Sequence, residues 1–170
     1  MTGRFRIERI EARILDIPTI RPHKLSFGAI SRQSPVIVQL WLGNGASGFG
    51  EAATIGGPSW KEESPEGIRH AIEAYLAPVL LGQEGGCFSD ALGRMDAACK
   101  GNAFAKSAVE IALIDAMART LGLPAWQLLG GCACQPAARD FFALLTLNNA
   151  TAPYLAAEAA IGGALWFNAV

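Results

Sequence analysis

From Phe5 the chain alternates apolar and polar positions: Phe5, Ile7, then Ile10, Ala12 and Ile14, with the alternation slipping one place near Arg9. A strand carrying a bulge or an irregular start leaves that trace. Pro18 and Pro22 end it. Pro35 to Leu42, PVIVQLWL, is a second strand rich in β-branched and aromatic residues, closed by the turn signal Gly43-Asn44-Gly45. Ser47 to Ala53 returns as its hairpin partner, so three antiparallel strands come first. Between them Thr19 to Arg32, TIRPHKLSFGAISR, reads as a polar loop with basic side chains at 21, 24 and 32. Its charges suit a solvated face, and a loop of this length in a compact domain is also where binding loops occur.

After Ser64 the period changes from two to 3.6. Ser64 stands where an N-cap belongs, with Pro65 at the first helical position and Glu66 in the first turn. Ile68, Ile72, Tyr75, Leu76 and Val79 form one helical face, bent or ended by Pro78 and closed by Gly82. A second helix over Ser89 to Lys100 presents Leu92, Met95 and Cys99. The third has the strongest pattern: Ala105, Ala108, Val109, Ala112, Leu113 and Ala116 recur at helical spacing. Its stripe is mostly alanine, which lets a neighbour approach closely. Gly122 and Pro124 stop it, and Trp126 to Leu129 adds one turn before Gly130-Gly131.

Composition then shifts. From Cys132 to Val170 only Arg139, Asp140 and Glu158 are charged, against 26 charged residues before them, and 12 of these 39 positions are alanine. The apolar run Phe141 to Leu147 has the character of a strand covered on both faces, as in a parallel sheet. Thr151 to Ala160 suits a helix and Leu165 to Val170 another strand, a β-α-β beginning. The expected domains are therefore 1–131 and 132–170.

With 51% hydrophobic and 17% charged residues the chain can bury a core. A net charge of −1 supplies no basic footprint, so nucleic acid is not an expected partner. No segment approaches the roughly 18 apolar residues of a membrane span, and MTGRFRIERIEAR lacks the apolar run of a signal peptide. A soluble, cytoplasmic protein is expected. The cysteines, at 87, 99, 132 and 134, fit no zinc spacing, and His23 and His70 do not complete one. Reduced, mostly buried thiols are the expectation.

Catalytic sets are few. There is no GxSxG elbow, P-loop or HExxH helix. Glu62 and Glu63 adjoin in a polar loop, where carboxylates usually face solvent. Lys106 and Glu110 are spaced for an i,i+4 pair. What stands out is Gly48 to Gly67, GFGEAATIGGPSWKEESPEG. A strand empties into a glycine loop with Trp60 near its tip and then into a capped helix, as in a ligand-contacting surface or a surface connection. Glu51, after the strand, is placed to anchor that loop through backbone hydrogen bonds.

Three segments, IERIEARILDIPTIRPHKLS (Ile7 to Ser26), GEAATIGGPSWKEESPEGI (Gly50 to Ile68) and GNAFAKSAVEIALIDAMARTLGLPAWQLLGG (Gly101 to Gly131), together resemble the muconate and chloromuconate cycloisomerases of the enolase superfamily. The resemblance covers most of residues 1–131 in order and spacing. It implies an α+β capping domain, a three-stranded antiparallel sheet plus a helical bundle, followed by the start of a (β/α) barrel. It implies lactonisation of a small dicarboxylate, cis,cis-muconate or a chloromuconate, with Mn2+ or Mg2+ in the complete enzyme and a homo-oligomeric assembly. The substrate loops correspond to Thr19 to Ser26 and Thr54 to Trp60, with Ile20, His23, Ile55 and Trp60 as substrate contacts. The metal-binding acidic residues and the catalytic lysines of a Lys-x-Lys motif lie on later barrel strands, and Phe167 to Val170 reads as the approach to that motif. No catalytic residue or metal ligand is therefore expected in this chain, which should be inactive alone. The sparse charge after Gly131 departs from the family pattern, as a frame error or a gene no longer under selection would produce. The alternative is a non-catalytic binding or oligomer-forming remnant of the cap.

Overall fold

Five strands come first in a computed structural model that describes residues 5–25, 28–54, 57–59, 61–85 and 88–131, with His23, Leu25 and Ser59 described by backbone alone. They are β1 (Phe5–Ile14), β2 (Ile17–Leu25), β3 (Gly28–Gln33), β4 (Val36–Leu42) and β5 (Ser47–Ala52). A sixth, β6 (Glu84–Gly85), follows the first helices. The sheet order is β5-β4-β1-β6, antiparallel throughout. The expected three strands are its body, and β6 adds a two-residue edge that no alternation could announce. The register between β1 and β4 shifts between Ile7 and Arg9, where the alternation slips. There the Arg6 and Ile7 carbonyls accept from Gly43 and Gly82.

The segment expected to be a polar loop is instead the ribbon β2–β3, a separate two-stranded sheet. Prolines at 18 and 22 hid it. Its register shifts between Pro18 and His23, and such irregular pairing gives no clean alternation. Asp16 and Arg32 close its base through Arg32 Nε to both carboxylate oxygens at 2.8 and 2.9 Å. Leu15 N–H donates to the Pro35 carbonyl beside them at 2.9 Å.

α1 (Pro65–Ala71) begins as expected, with Ser64 Oγ accepting from Gly67 N–H at 3.1 Å and Pro65 in the first turn. It runs through a wide π-turn, Ile72–Leu76, into α2 (Ala77–Leu80). Pro78 has no N–H to donate, and the widened turn just before it absorbs that loss. Ile68, Ile72, Leu76 and Leu80 are buried, whereas Tyr75 is half-exposed and meets His70 edge-on at 5.7 Å. The widened turn moves the buried face from Val79 to Leu80. On α3 (Phe88–Ala98) the buried residues are Ala91 and Met95, with Leu92 and Cys99 only partly covered.

α4 (Ala103–Leu121) is the central element. Its six stripe residues are all buried, and Gly122 ends it in a left-handed conformation with φ 66°. It lies against β5, whose inward positions Gly48 and Gly50 carry no side chain. A Cβ at Gly48 would run into the Ala112 carbonyl and the Ala116 backbone, and one at Gly50 into the Ala108 carbonyl. Alanine on the helix and glycine on the strand thus let backbone meet backbone. The layer between sheet and helices holds Val36, Val38, Leu40 and Leu42 of β4, all nearly inaccessible. α4 joins α3 through Lys106 Nζ on Asp96 Oδ1 at 2.7 Å, in place of the Lys106–Glu110 pair that spacing allowed.

The chain divides into two compact units, Met1–Leu123 and Pro124–Val170. All elements above belong to the first. In the second, α5 (Ala125–Leu128) is the turn expected around Trp126. The strands and helix expected over 132–170 lie outside the described residues.

Candidate functional site

β5 leaves the sheet at Ala52 and the chain re-enters helix at Pro65, so the connection between them has one stem on the sheet and one on α1. Thr54, at its start, is buried, and its Oγ1 has no hydrogen-bond partner among the described residues. Gly57–Ser59 makes a short 3-10 turn, and Lys61 N–H donates back to the Gly57 carbonyl at 3.3 Å. Ile55 and Trp60, both expected to contact substrate, lie outside the described residues.

Each stem is tied to α4 by a carboxylate. Asp115 Oδ2 accepts from Phe49 N–H at 2.9 Å, and Arg119 Nε donates to Asp115 Oδ1 at 3.0 Å. Among the described residues β5 is an edge strand, and this bond satisfies an outward N–H with no strand beside it. At the other stem, Glu63 Oε1 accepts from Phe104 N–H at 3.1 Å and Oε2 from Ala105 N–H at 3.3 Å. These amides open α4, where a negative charge meets the positive end of the helix dipole. Asn102, the residue before the helix, makes no capping bond; its amide donates to Cys99 Sγ and the Lys100 carbonyl. Cys99 is a free thiol, partly covered.

A polar loop suits Glu63 to face solvent, and the end of a strand suits Glu51 to anchor the loop. The structure exchanges these roles. Glu51 is exposed on the outer sheet face beside Ile37, and its carboxylate makes no hydrogen bond among the described residues. No local signal pointed to Glu63, because Asn102 stands ahead of the alanine helix as a good N-cap residue, and only its left-handed backbone, φ 52°, keeps it from capping.

On the ribbon, Ile20 is 95% exposed, an apolar side chain held out from the strand where the register shifts. His23 pairs by backbone with Ile30 a few residues on. Thr19, just before Ile20, has its Oγ1 covered and without a hydrogen-bond partner among the described residues. Arg32 holds the Asp16 carboxyl below the usual carboxylate range, chiefly through the hydrogen bond, and Asp16 raises the Arg32 guanidinium in turn. Of the four expected contacts, Ile20 and His23 thus share one strand. Among the described residues nothing brings them together with the β5–α1 connection.

The outer sheet face is half-covered. Glu11, Arg13, Leu15, Ile37, Gln39 and Phe49 surround a hollow of about 180 Å3, and the Arg9 guanidinium lies 4.2 Å from the Trp41 ring centre. Arg9 and Arg13 both bond Glu11, whose carboxyl is lowered mainly by Arg9. Among the described residues no three His, Cys, Asp or Glu side chains gather to hold a metal ion. These residues do not fit the metal that the resemblance implies, and no chemistry through a metal follows from them. No helix among the described residues is long and apolar enough to cross a membrane.

Comparison with known proteins agrees with this architecture. Residues 9–130 match the mandelate racemase / muconate lactonizing enzyme N-terminal domain. Muconate cycloisomerase 1 of Pseudomonas putida is 49% identical over 127 residues, 74% of this chain and 34% of that protein. A chloromuconate cycloisomerase of Delftia acidovorans is 46% identical over 126 residues, again 74% of this chain and 34% of the relative. Among solved structures, the muconate lactonizing enzyme of Pseudomonas fluorescens complexed with muconolactone superposes with a TM-score of 0.74 at 43% identity, covering 76% of this chain and 35% of the other. The 2-chloromuconate cycloisomerase of Rhodococcus opacus 1CP gives 0.72 at 40% identity, with the same coverage of both chains. The chain spans about a third of the length of these relatives. By a domain match over 122 residues and identity well above 40%, the chain belongs to the mandelate racemase / muconate lactonizing enzyme family and carries that family's N-terminal domain.

Proposed function

We propose that residues 1–131 form the capping domain of a muconate or chloromuconate cycloisomerase, with 132–170 the beginning of its barrel. The observation carrying this reading is the 43% identity and 0.74 TM-score with an enzyme crystallised with muconolactone. In this reading the cap supplies shape and excludes water, while metal and proton-transfer groups come from a barrel. Ile55 and Trp60 on the β5–α1 connection, and Ile20 and His23 on the ribbon, contact the substrate. The exposure of Ile20 supports its part, since an apolar side chain held fully in water costs least when another surface covers it. The substrate is a small dicarboxylate, the complete enzyme uses Mn2+ or Mg2+, and it works as a cytoplasmic homo-oligomer. The chain alone is inactive.

The test is a hybrid enzyme in which residues 1–131 replace the N-terminal domain of the Pseudomonas putida muconate cycloisomerase 1. It is expected to convert cis,cis-muconate to the lactone with Mn2+, while the 170-residue chain does not. A folded hybrid that binds Mn2+ yet leaves muconate unchanged overturns the proposal. The half-exposed sheet face around Leu15, Ile37 and Phe49 favours a second reading, a non-catalytic oligomer-forming module. Self-association of the 170-residue chain together with an inactive hybrid would select it.

A further inference from the structure

The β5–α1 connection is held twice by one helix. On the sheet side, Asp115 takes the Phe49 N–H, and the glycines of β5 bring its backbone onto α4. On the α1 side, Glu63 takes the N–H groups of Phe104 and Ala105. At about 1.5 Å of rise per residue, the two attachments on α4 stand roughly 15 Å apart on one rigid rod. Glu63 is partly buried, whereas its neighbours Lys61 and Glu62 are exposed. Nothing local requires a carboxylate here, because α1 already has its cap in Ser64. The Glu63 carboxylate instead serves a helix about 40 residues away.

We propose that Glu63 is a positioning residue: it fixes the α1-side stem of the connection to α4, and through that stem sets substrate affinity and selectivity. The second half rests on the proposed role of the connection in contacting muconate. Glu63 does not itself touch substrate. Its effect is expected in KM and in the choice between muconate and chloromuconate, with kcat little changed.

Two measurements separate the parts. Amide exchange on the 170-residue chain compares Glu63→Ala and Glu63→Gln with the parent. Faster exchange over both 57–64 and the first turn of α4 is expected, less in the Gln variant, which keeps one acceptor. Faster exchange confined to 103–106 would make Glu63 a helix cap and nothing more, and would overturn the proposal. If the Ala variant does not fold, the Gln variant carries the same comparison. In the hybrid enzyme, Glu63→Ala is expected to raise KM for muconate roughly tenfold, the scale of one charged hydrogen bond, with kcat within about twofold. Coupled exchange with an unchanged KM would keep the anchor and overturn the substrate role of the connection; a drop in kcat at constant KM would overturn the positioning role.

Discussion

Asp115 on α4 accepts the backbone N–H of Phe49 at 2.9 Å, between the two glycines on which β5 meets the helix. An edge strand is thereby closed without another strand, by a carboxylate set by Arg119 one turn on. The bond and the glycine contact require each other: only a strand this close lets Asp115 reach the amide.

Asp115→Ala removes the protein partner of an exposed amide that water can then reach, and is expected to destabilise the chain by about 0.5–1.5 kcal/mol, the net worth of one hydrogen bond. Asp115→Asn, which keeps an acceptor oxygen, should lose less. Urea unfolding of the three proteins ranks them, and equal midpoints would mean that the edge amide is met another way.

Two glycine substitutions should move stability in opposite directions. Gly50→Ala drives a methyl into the Ala108 carbonyl and the Ala112 amide, backbone atoms that cannot step aside, so a loss of at least ~1–3 kcal/mol is expected. Gly93→Ala, inside α3 with open space around it, should gain about 0.5–1 kcal/mol. Thermal melting measures both, and a neutral Gly50→Ala would contradict the backbone contact between β5 and α4.

The Asp96–Lys106 pair should stabilise in a pH-dependent way. Lys106 lowers the Asp96 carboxyl below its ordinary 3.8, first through the hydrogen bond and then by charge. A lowered folded-state value means that the unfolded chain takes up the proton first. The contribution is therefore complete above the unfolded value and fades as pH falls through the folded one. Asp96→Asn should lower the unfolding midpoint at pH 7 and lower it less as the pH falls below 3.8. A difference that stays the same as the pH falls would assign the effect to something other than this pair.

Ile20→Ala and Trp60→Ala in the hybrid enzyme test the proposed substrate contacts. Because Ile20 is almost wholly exposed, its removal should leave the melting temperature within a degree or two. Both changes are expected to raise KM or shift the preference between muconate and chloromuconate. A Trp60→Ala variant that no longer folds would make Trp60 a packing residue.

Much of the fold was legible because local periodicity records burial one element at a time. Ala105, Ala108, Ala112 and Ala116 announced both a helix and a close neighbour, and the slip at Arg9 marked the bulge. The ribbon was not legible, since Pro18 and Pro22 interrupt it and its pairing is irregular. Tyr75 was misplaced because the widened turn before Pro78 rotates the following residues off a regular 3.6 period.

By itself the sequence determined the order of the main strands and helices, the Ser64 cap, the small-residue face of α4 and the family. Each of these follows from residues close together in the chain or from similarity spread along it. Only the tertiary structure decided that Gly48 and Gly50 meet the alanines, that Asp115 closes the edge of β5, that Lys106 pairs with Asp96, and that Glu63 rather than Glu51 ties down the connection. A carboxylate accepts from whichever donor the fold brings within 3 Å or so. For Glu63 that donor is a helix end about 40 residues away, beyond the reach of any local pattern.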